Sequence, residues 1–233
     1  DSYHSPHMAS WTVQTRAHNA ITFDQGQGQT KRAIEASGEI TQFESGALGD
    51  IVTGDATRAY AGALRKAVRS VAYLRPDQVL VFDRLESDKP RRWEWNIHAL
   101  ERMLHDETGK LKIQNGPVSL CVQLHASAPI RFSQTDAFPD APIKNGFARN
   151  DMPNQWHGRY ESVEPTKSIL FAAVLSVDCK PGAEIRLQGE AKAFVSMSGV
   201  EADFAGSRTA LRSKNTAALS EEGGKLIPVT ILP

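Results

Sequence analysis

The sequence has no excess of either charge and no long apolar segment. Lysine plus arginine and aspartate plus glutamate each total 27 in 233 residues, so the formal net charge is zero. A nucleic-acid-binding protein usually carries a basic excess, so this balance argues against a nucleic-acid partner. No apolar run approaches the roughly 20 residues that a membrane-spanning helix needs, and we expect no membrane span. No signal peptide is visible and the first residue is Asp1, so we expect a processed product or an internal piece of a longer protein.

Cysteine is also scarce, since Cys121 and Cys179 are the only two. They are about sixty residues apart and each lies in or beside a predicted strand. One bridge and two small buried thiols are both compatible with this spacing. The pattern favours two free thiols, and neither cysteine settles the cellular compartment.

Most of the chain shows the patterns of β-strands. Residues 118–125 alternate between apolar and polar side chains, which predicts a strand with one buried face. The more continuously apolar residues 79–82 and 169–175 predict central strands that are covered on both faces. Further strands are predicted at residues 32–43, 93–99, 109–114, 129–133, 183–187 and 191–197. Many short strands separated by turns predict an all-β fold, an antiparallel β-sandwich or stacked sheets, with residues 1–233 as a single domain.

Two segments allow other interpretations. Tyr60, Leu64 and Val68 recur every four residues, as on a short helix over residues 56–67, but residues 68–74 then alternate like a strand. Residues 136–154 contain three prolines and a glycine and predict a long surface loop. Loops of this length on a β scaffold often border a binding groove.

The amino-terminal segment holds three of the seven histidines, His4, His7 and His18. Ile21 and Phe23 alternate with polar residues after His18, so we expect His18 to begin a strand, with its imidazole held by the sheet, and a glycine-rich turn to follow. A rigidly held histidine on a β scaffold suits a metal site or a site for an anionic substrate. The alternative is a surface strand with incidental histidines.

The remaining histidines and the tryptophans carry weaker signals. Trp93 and Trp95 share one face of a predicted strand, where core packing is favoured over a sugar-stacking platform. The other four histidines show no metal-ligand spacing and are predicted to be solvated or at the edge of the core: His98, His105, His125 and His157.

Several segments, taken in order, resemble a known family. They are residues 5–7 with Trp11, residues 14–19 leading to Asp24 and the Gly-Gln-Gly turn, residues 59–60, 68–71, 75–84, 95–98 and 155–157. Together they resemble the carboxy-terminal β domain of the heparinase II/III-like polysaccharide lyases, which include oligoalginate lyases. The resemblance covers most of residues 1–200, and its more specific parts are the His18-Asn19 element and the Asp83-Arg84 strand.

The resemblance implies a lyase of two domains. An amino-terminal α/α toroid packs against the β domain, and a uronic-acid polysaccharide of the alginate or heparan sulfate type lies in the cleft between them. The reaction is β-elimination, in which a base removes the C5 proton and an acid protonates the departing glycosidic oxygen. The catalytic tyrosine and histidine belong to the toroid, so this chain should hold no catalytic residue and should be inactive alone. The family also implies a periplasmic or secreted location.

The resemblance further implies a structural zinc ion. Its ligands are a histidine of an early His-x-His-x-Asp-like element, an aspartate on the next strand, and the histidine of the His-Asn element, which corresponds to His18. The first two ligands would lie before Asp1, so this chain alone should bind zinc weakly.

Substrate contacts are expected from the segment that would face the cleft, at Tyr3, His4, Trp11 and Arg16. The planar fork of Arg16 suits a sugar carboxylate. The alternative for each is loop packing, with a solvated arginine. At the level of the whole chain, the competing interpretation is a non-catalytic carbohydrate-binding or structural β-sandwich domain, followed by a sugar-binding enzyme of another mechanism on the same fold.

Overall fold

Strands dominate the computed structural model, which describes residues 4–105, 110–141, 155–180, 183–188, 192–197, 199–205, 208–213, 219–222 and 225–228. Three short helical turns lie at Met8–Thr12, Thr15–Ala17 and Thr57–Tyr60. The strands within these ranges are β1 Ile21–Phe23, β2 Glu39–Gly46, β3 Gly49–Asp55, β4 Lys66–Leu74, β5 Gln78–Arg91, β6 Trp93–Ala99, β7 Leu104–His105, β8 Lys110–Asn115, β9 Val118–Ala126, β10 Ile130–Thr135, β11 Trp156–Ser162, β12 Thr166–Val177, β13 Glu184–Gln188, β14 Lys192–Met197, β15 Val200–Ala205, β16 Arg208–Ser213, β17 Leu219–Glu222 and β18 Lys225–Pro228. None of the described helices is long and apolar enough to cross a membrane.

The strands form antiparallel sheets that stack on one another. The front sheet has the order β1-β6-β11-β10, and the central sheet has the order β2-β3-β4-β5-β12-β9-β8-β7. The back sheet is β13-β14-β15-β16, and β17 pairs with β18 as a hairpin. This arrangement confirms the predicted all-β fold of stacked antiparallel sheets.

The middle strands of the central sheet, β5 and β12, are covered on both faces. Toward the front sheet, Phe171 and Leu85 pack with Trp93 in one apolar cluster. Toward the back sheet, Phe82 stacks on Phe204 with ring centroids 5.0 Å apart, in a second cluster. Each large apolar side chain buried in this way contributes about 1.5–3 kcal/mol. Burial on both faces explains why residues 79–82 and 169–175 are continuously apolar rather than alternating.

Some predicted boundaries are wrong. The alternative of a helix over residues 56–67 does not hold, and the strand-like alternation of residues 68–74 does, because a single 3₁₀ turn at Thr57–Tyr60 leads into β4. The strand predicted from residue 32 begins only at Glu39. Arg32 has a φ of +55°, which an extended strand does not accommodate. Of the predicted long loop, residues 136–141 contain no strand or helix, and residues 142–154 lie outside the described part of the chain.

The expectation of two free thiols is also wrong, because Cys121 and Cys179 form a disulfide. Cys121 lies on β9 opposite Ser176 of β12. After β12 the chain turns through Asp178 and Cys179, which both have a φ near +55°. This turn brings the two Cα atoms to 4.8 Å, a contact that depends on strand pairing and cannot be inferred from a separation of 58 residues.

Removing this disulfide should lower stability. The bridge closes a loop of 58 residues, and chain-entropy arguments give about 2–4 kcal/mol for a loop of that size. We expect the C121S/C179S variant to lose that much free energy of unfolding in urea titrations followed by tryptophan fluorescence. Thiol titration of the unfolded native chain should detect no free thiol. Two reactive thiols, together with unchanged stability of the variant, would contradict the bridge.

Candidate functional site

The pleat of β6 divides its side chains between the core and the opposite face of the front sheet. Trp93 and Trp95 are buried in the front cluster, which supports the prediction of core packing. Since neighbouring side chains on a strand point to opposite faces, Glu94, Asn96 and His98 lie on the other side. The register of β11 places three more polar residues beside them, and together the six form what we call the polar face: Glu94, Asn96, His98, His157, Arg159 and Glu161.

The amino-terminal segment packs on this polar face. The helical turn Met8–Thr12 carries Trp11, whose side chain is buried. The Trp11 ring meets His157 at 5.2 Å and His98 at 6.1 Å between centroids, both edge-to-face. It also meets Phe138 at 5.3 Å. Trp11 therefore forms a wall between the sheet and the segment that follows β10.

His98 and His157 are cross-strand partners with stacked rings. Their centroids are 4.8 Å apart and their planes differ by 4°. Asn19 Oδ1 accepts a hydrogen bond from His98 Nδ1 at 2.9 Å, and Asn96 Oδ1 accepts one from His157 Nε2 at 2.8 Å. Burial is the main cause that lowers the pKa of His98 to about 4, and nearby His18 contributes in the same direction. Burial also lowers the pKa of His157 to about 3, with the charges of Arg159 and Arg16 acting in the same direction. Both rings are therefore neutral at pH 7.

The His18-Asn19 element is anchored through its asparagine. His18 follows the turn Thr15–Ala17 in an extended but unpaired conformation, and its side chain is exposed. The strand starts only at Ile21, so the prediction that His18 begins it, with a ring held by the sheet, is wrong. Asn19 instead accepts hydrogen bonds from the backbone and the ring of His98.

An ion pair between the partly exposed Arg69 and the buried Asp83 links this element to the core. The carbonyl of Asn19 accepts a hydrogen bond from Arg69 Nη1 at 2.6 Å. Arg69 also donates Nε and Nη2 to the two carboxylate oxygens of Asp83, at 2.6 and 2.9 Å. Trp95 Nε1 donates to Asp83 Oδ2 at 3.1 Å. Asn19, Arg69, Asp83 and Trp95 come from four separate segments of the resemblance, and their contacts show that they support the position of the His-Asn element.

The glycine-rich turn after β1 is held by a buried carboxylate. Glu94 is fully buried; its Oε1 accepts the backbone N–H of Gln25 at 2.9 Å, and its Oε2 accepts the hydroxyl of Thr22. Burial raises the pKa of Glu94. Asp24, Gln25 and Gly26 all have positive φ angles, so the turn is strained and depends on these contacts. A Cβ on Gly26 would lie 3.0 Å from Arg16 Cδ, so the turn presses closely against Arg16.

A cleft of about 480 Å³ lies between this turn, the Trp11 segment and the residues after β10. Arg16 and Arg159 both line it, with His157 and Glu94 at its floor. The Arg16 guanidinium lies 5.7 Å from the centroid of the Trp11 ring, and Nη2 donates to the Ser10 carbonyl at 3.0 Å. Arg159 Nη1 lies 3.5 Å from Glu94 Oε1. Two arginines face a single carboxylate here, so the cleft suits an anionic ligand.

Only some of the predicted site residues line the cleft. Trp11 and Arg16 line the cleft, whereas His4 is exposed and does not line it. Tyr3 lies outside the described residues. His7 is buried, and its Nδ1 lies 2.7 Å from the carbonyl of Asp140, so it ties the segment after β10 to the amino terminus.

Sequence reasoning missed the residues that β6 and β11 contribute to the cleft. Glu94 and His98 alternate with Trp93 and Trp95, so placing the tryptophans in the core already implies a polar opposite face. The pairing of β6 with β11 brings in His157 and Arg159, and no local pattern reveals that register.

The zinc set expected from the resemblance is not present in the described residues. Among them, no three histidine, cysteine, aspartate or glutamate side chains group so that they could hold a metal ion. His18 supplies one ligand at most, so the described residues do not fit a zinc site by themselves.

The family model for the heparinase II/III-like C-terminal region matches residues 1–192. The match covers most of the 233 residues, so the chain belongs to this family. No curated protein matches the chain.

Solved structures share the fold at low sequence identity. A heparinase III gene product has a TM-score of 0.65 at 10% identity, over 91% of this chain and 33% of that one. A mutant of the heparan sulfate lyase HepC from Pedobacter heparinus has a TM-score of 0.63 at 16% identity, over 91% and 33%. A structure of heparinase III gives 0.60 at 13% identity, over 91% and 32%. These likenesses confirm the fold, and the chain spans about one third of the length of each structure.

The stacked histidines predict a loss of stability in weak acid. In the unfolded chain a histidine has a pKa near 6.5, whereas the folded pKa values of His98 and His157 are lower, so the unfolded chain binds protons first as the pH falls. We expect the free energy of unfolding to fall by about 2–4 kcal/mol between pH 7 and pH 5. Urea titrations at both pH values measure it.

One variant tests the cause of this pH dependence, and a second variant is its control. The H98Q/H157Q variant should lose most of the difference between pH 7 and pH 5. The H4Q variant should keep it, because His4 is exposed. An H98Q/H157Q variant with the pH dependence of the native chain would show that other groups cause the effect.

Proposed function

We propose that this chain is the β domain of a polysaccharide lyase that cleaves uronic-acid-containing polysaccharides by β-elimination. The observation that carries the proposal is the cleft on the polar face, where Arg16 and Arg159 lie beside His157 in a chain of the heparinase II/III-like family. The structural neighbours described as heparinase III and heparan sulfate lyase support the same substrate class.

The chemistry of the substrate fits this cleft. A uronic acid carries a carboxylate on C5, the carbon from which β-elimination removes a proton, and negative charge spreads into that carboxylate as the proton leaves. Arginine donors stabilise such charge through two parallel hydrogen bonds. Arg16 is held over Trp11 and has donors left after its bond to the Ser10 carbonyl. In the proposal, Arg16 binds the sugar carboxylate, and Arg159, partly balanced by Glu94, adds positive potential.

The catalytic acid and base belong to the rest of the protein in this proposal. The chain spans about one third of the length of its structural neighbours, which leaves room for the amino-terminal toroid that the family resemblance implies. We therefore propose that the 233-residue chain binds substrate groups but does not turn substrate over alone. Trp93 and Trp95 are buried, so the sugar-stacking platform considered for a purely carbohydrate-binding domain is not available.

The disulfide supports a periplasmic or secreted location. Disulfides persist mainly in oxidising compartments, and Cys121 pairs with Cys179 in this chain. The location itself stays a proposal.

Substituting Arg16 in the full-length lyase tests the proposed function. The R16Q variant should lower kcat/KM for a uronic-acid polysaccharide about tenfold or more, because a charge-assisted contact contributes about 1.5–3 kcal/mol. The formation of unsaturated ends is followed by absorbance. R65Q is the matched control, since Arg65 is exposed and pairs with Asp88. The 233-residue chain assayed in parallel should give no product. A kcat/KM that stays unchanged in R16Q, or robust turnover by the isolated chain, would contradict the proposal.

Zinc content tests the proposed role of His18. We propose that His18 is one of three zinc ligands in the longer protein, with the other two supplied from upstream. The longer protein should then retain about one zinc per chain after dialysis, as measured by elemental analysis, and its H18A variant should lose most of it. The 233-residue chain should retain little. Equal zinc retention by the longer protein and its H18A variant would exclude His18 as a ligand.

A further inference from the structure

Arg84 lies on β5 beside Asp83 but faces the other side of the central sheet. Asp83 pairs with Arg69 on the side of the front sheet. By strand alternation Arg84 shares the face of Phe82, which packs against Phe204 of the back sheet. The Asp83-Arg84 strand is one of the more specific parts of the resemblance, and the cleft described above uses neither the side chain of Arg84 nor the space around it.

The guanidinium of Arg84 has no partner in the described part of the chain. Its Nε is buried and makes no hydrogen bond to the described residues, and its side chain forms no ion pair with them. A partly buried charge without a partner is costly, and a buried polar atom without a hydrogen bond needs an explanation such as a bound ion.

A small cavity between the central and back sheets adjoins Arg84. Its polar lining consists of Thr53, Ser70 and Thr209 with the two arginines Arg84 and Arg208, and no carboxylate lines it. Arg208 is already paired, since its Nη2 lies 2.6 Å from Glu44 Oε1. The unbalanced charge of the cavity is therefore that of Arg84.

A hydroxyl group in the cavity is able to donate a hydrogen bond to an anion. Thr53 Oγ1 lies 2.8 Å from Ser70 Oγ, and either hydroxyl can be the donor. Gln42 Oε1 accepts the backbone N–H of Thr209 at 2.9 Å and the hydroxyl of Thr53 at 3.3 Å. When Thr53 turns its proton from Gln42 to the closer Ser70 oxygen, the Ser70 hydroxyl proton points at an anion held by Arg84.

We propose that this cavity binds one monatomic anion, chloride under physiological conditions. It leaves about 10 Å³ for the centre of a bound atom, which is room for one water or one ion of similar size. A sulfate or a sugar carboxylate has too many atoms for this space. A water molecule accepts the hydrogen bond of Arg84 Nε but does not balance the charge of the guanidinium. A chloride ion accepts the same hydrogen bond and also balances the charge. The bound anion joins β5 to β16 and so stabilises the contact between the central and back sheets.

Thermal unfolding of the 233-residue chain in chloride tests this site. The scans are run at constant ionic strength, with sodium chloride replaced stepwise by sodium gluconate, whose anion is too large for the cavity. We expect a saturable rise in Tm of about 3–5 °C, which corresponds to chloride at about ten times its Kd for a chain of this size. R84Q should lose the rise. R212Q should keep it, because Arg212 is exposed on β16 and does not line the cavity.

A second measurement avoids the risk that R84Q fails to fold. Crystals of the native chain grown in sodium bromide should show an anomalous scattering peak beside Arg84 Nε. A native Tm that does not depend on chloride, a rise that persists in R84Q, or bromide peaks confined to other sites would each overturn the proposal.

Discussion

The structure depends on the alternation of side chains along β6. One strand supplies Trp93 and Trp95 to the core and Glu94, Asn96 and His98 to the polar face. A shift of one residue in its pairing would exchange the two sets, placing carboxylate and imidazole groups in an apolar cluster. The bond from Trp95 to Asp83 ties the same strand to the ion pair with Arg69 and, through it, to Asn19. Core packing and the position of the cleft are therefore set by one register.

The cleft combines neutral aromatic rings with positive charge. His98 and His157 stack as neutral rings because burial opposes their protonation, and Trp11 packs against both. Arg16 and Arg159 remain charged, and Glu94 balances only one of them. In the proposed function, an anionic sugar that enters this site exchanges water for fixed donors, an arrangement that favours charge developing on a carboxylate. The Arg84 cavity lies on the opposite side of the central sheet and its unbalanced charge is separate from this site.

The sequence predicts much of the sheet architecture because the order of apolar and polar side chains along each strand reflects which of its faces are buried. Residues 169–175 are apolar throughout because both faces of β12 are covered, and Trp93 and Trp95 are core residues as their spacing indicates. The disulfide and the partnership of His98 with His157 depend on contacts between residues about sixty apart, which local patterns do not contain. The alternation of Ile21 and Phe23 predicts the strand itself, but the strand does not continue back to His18, which lies three residues before its start. The bonds that hold this element come from Asn19 instead.

The proposed function is tested best by a crystal structure of the full-length protein that contains this chain, with a bound uronic-acid oligosaccharide. We expect a sugar carboxylate in the cleft on the polar face, about 2.7–2.9 Å from the guanidinium of Arg16. An oligosaccharide bound elsewhere, with no contact to Trp11, Arg16 or Arg159, would contradict it.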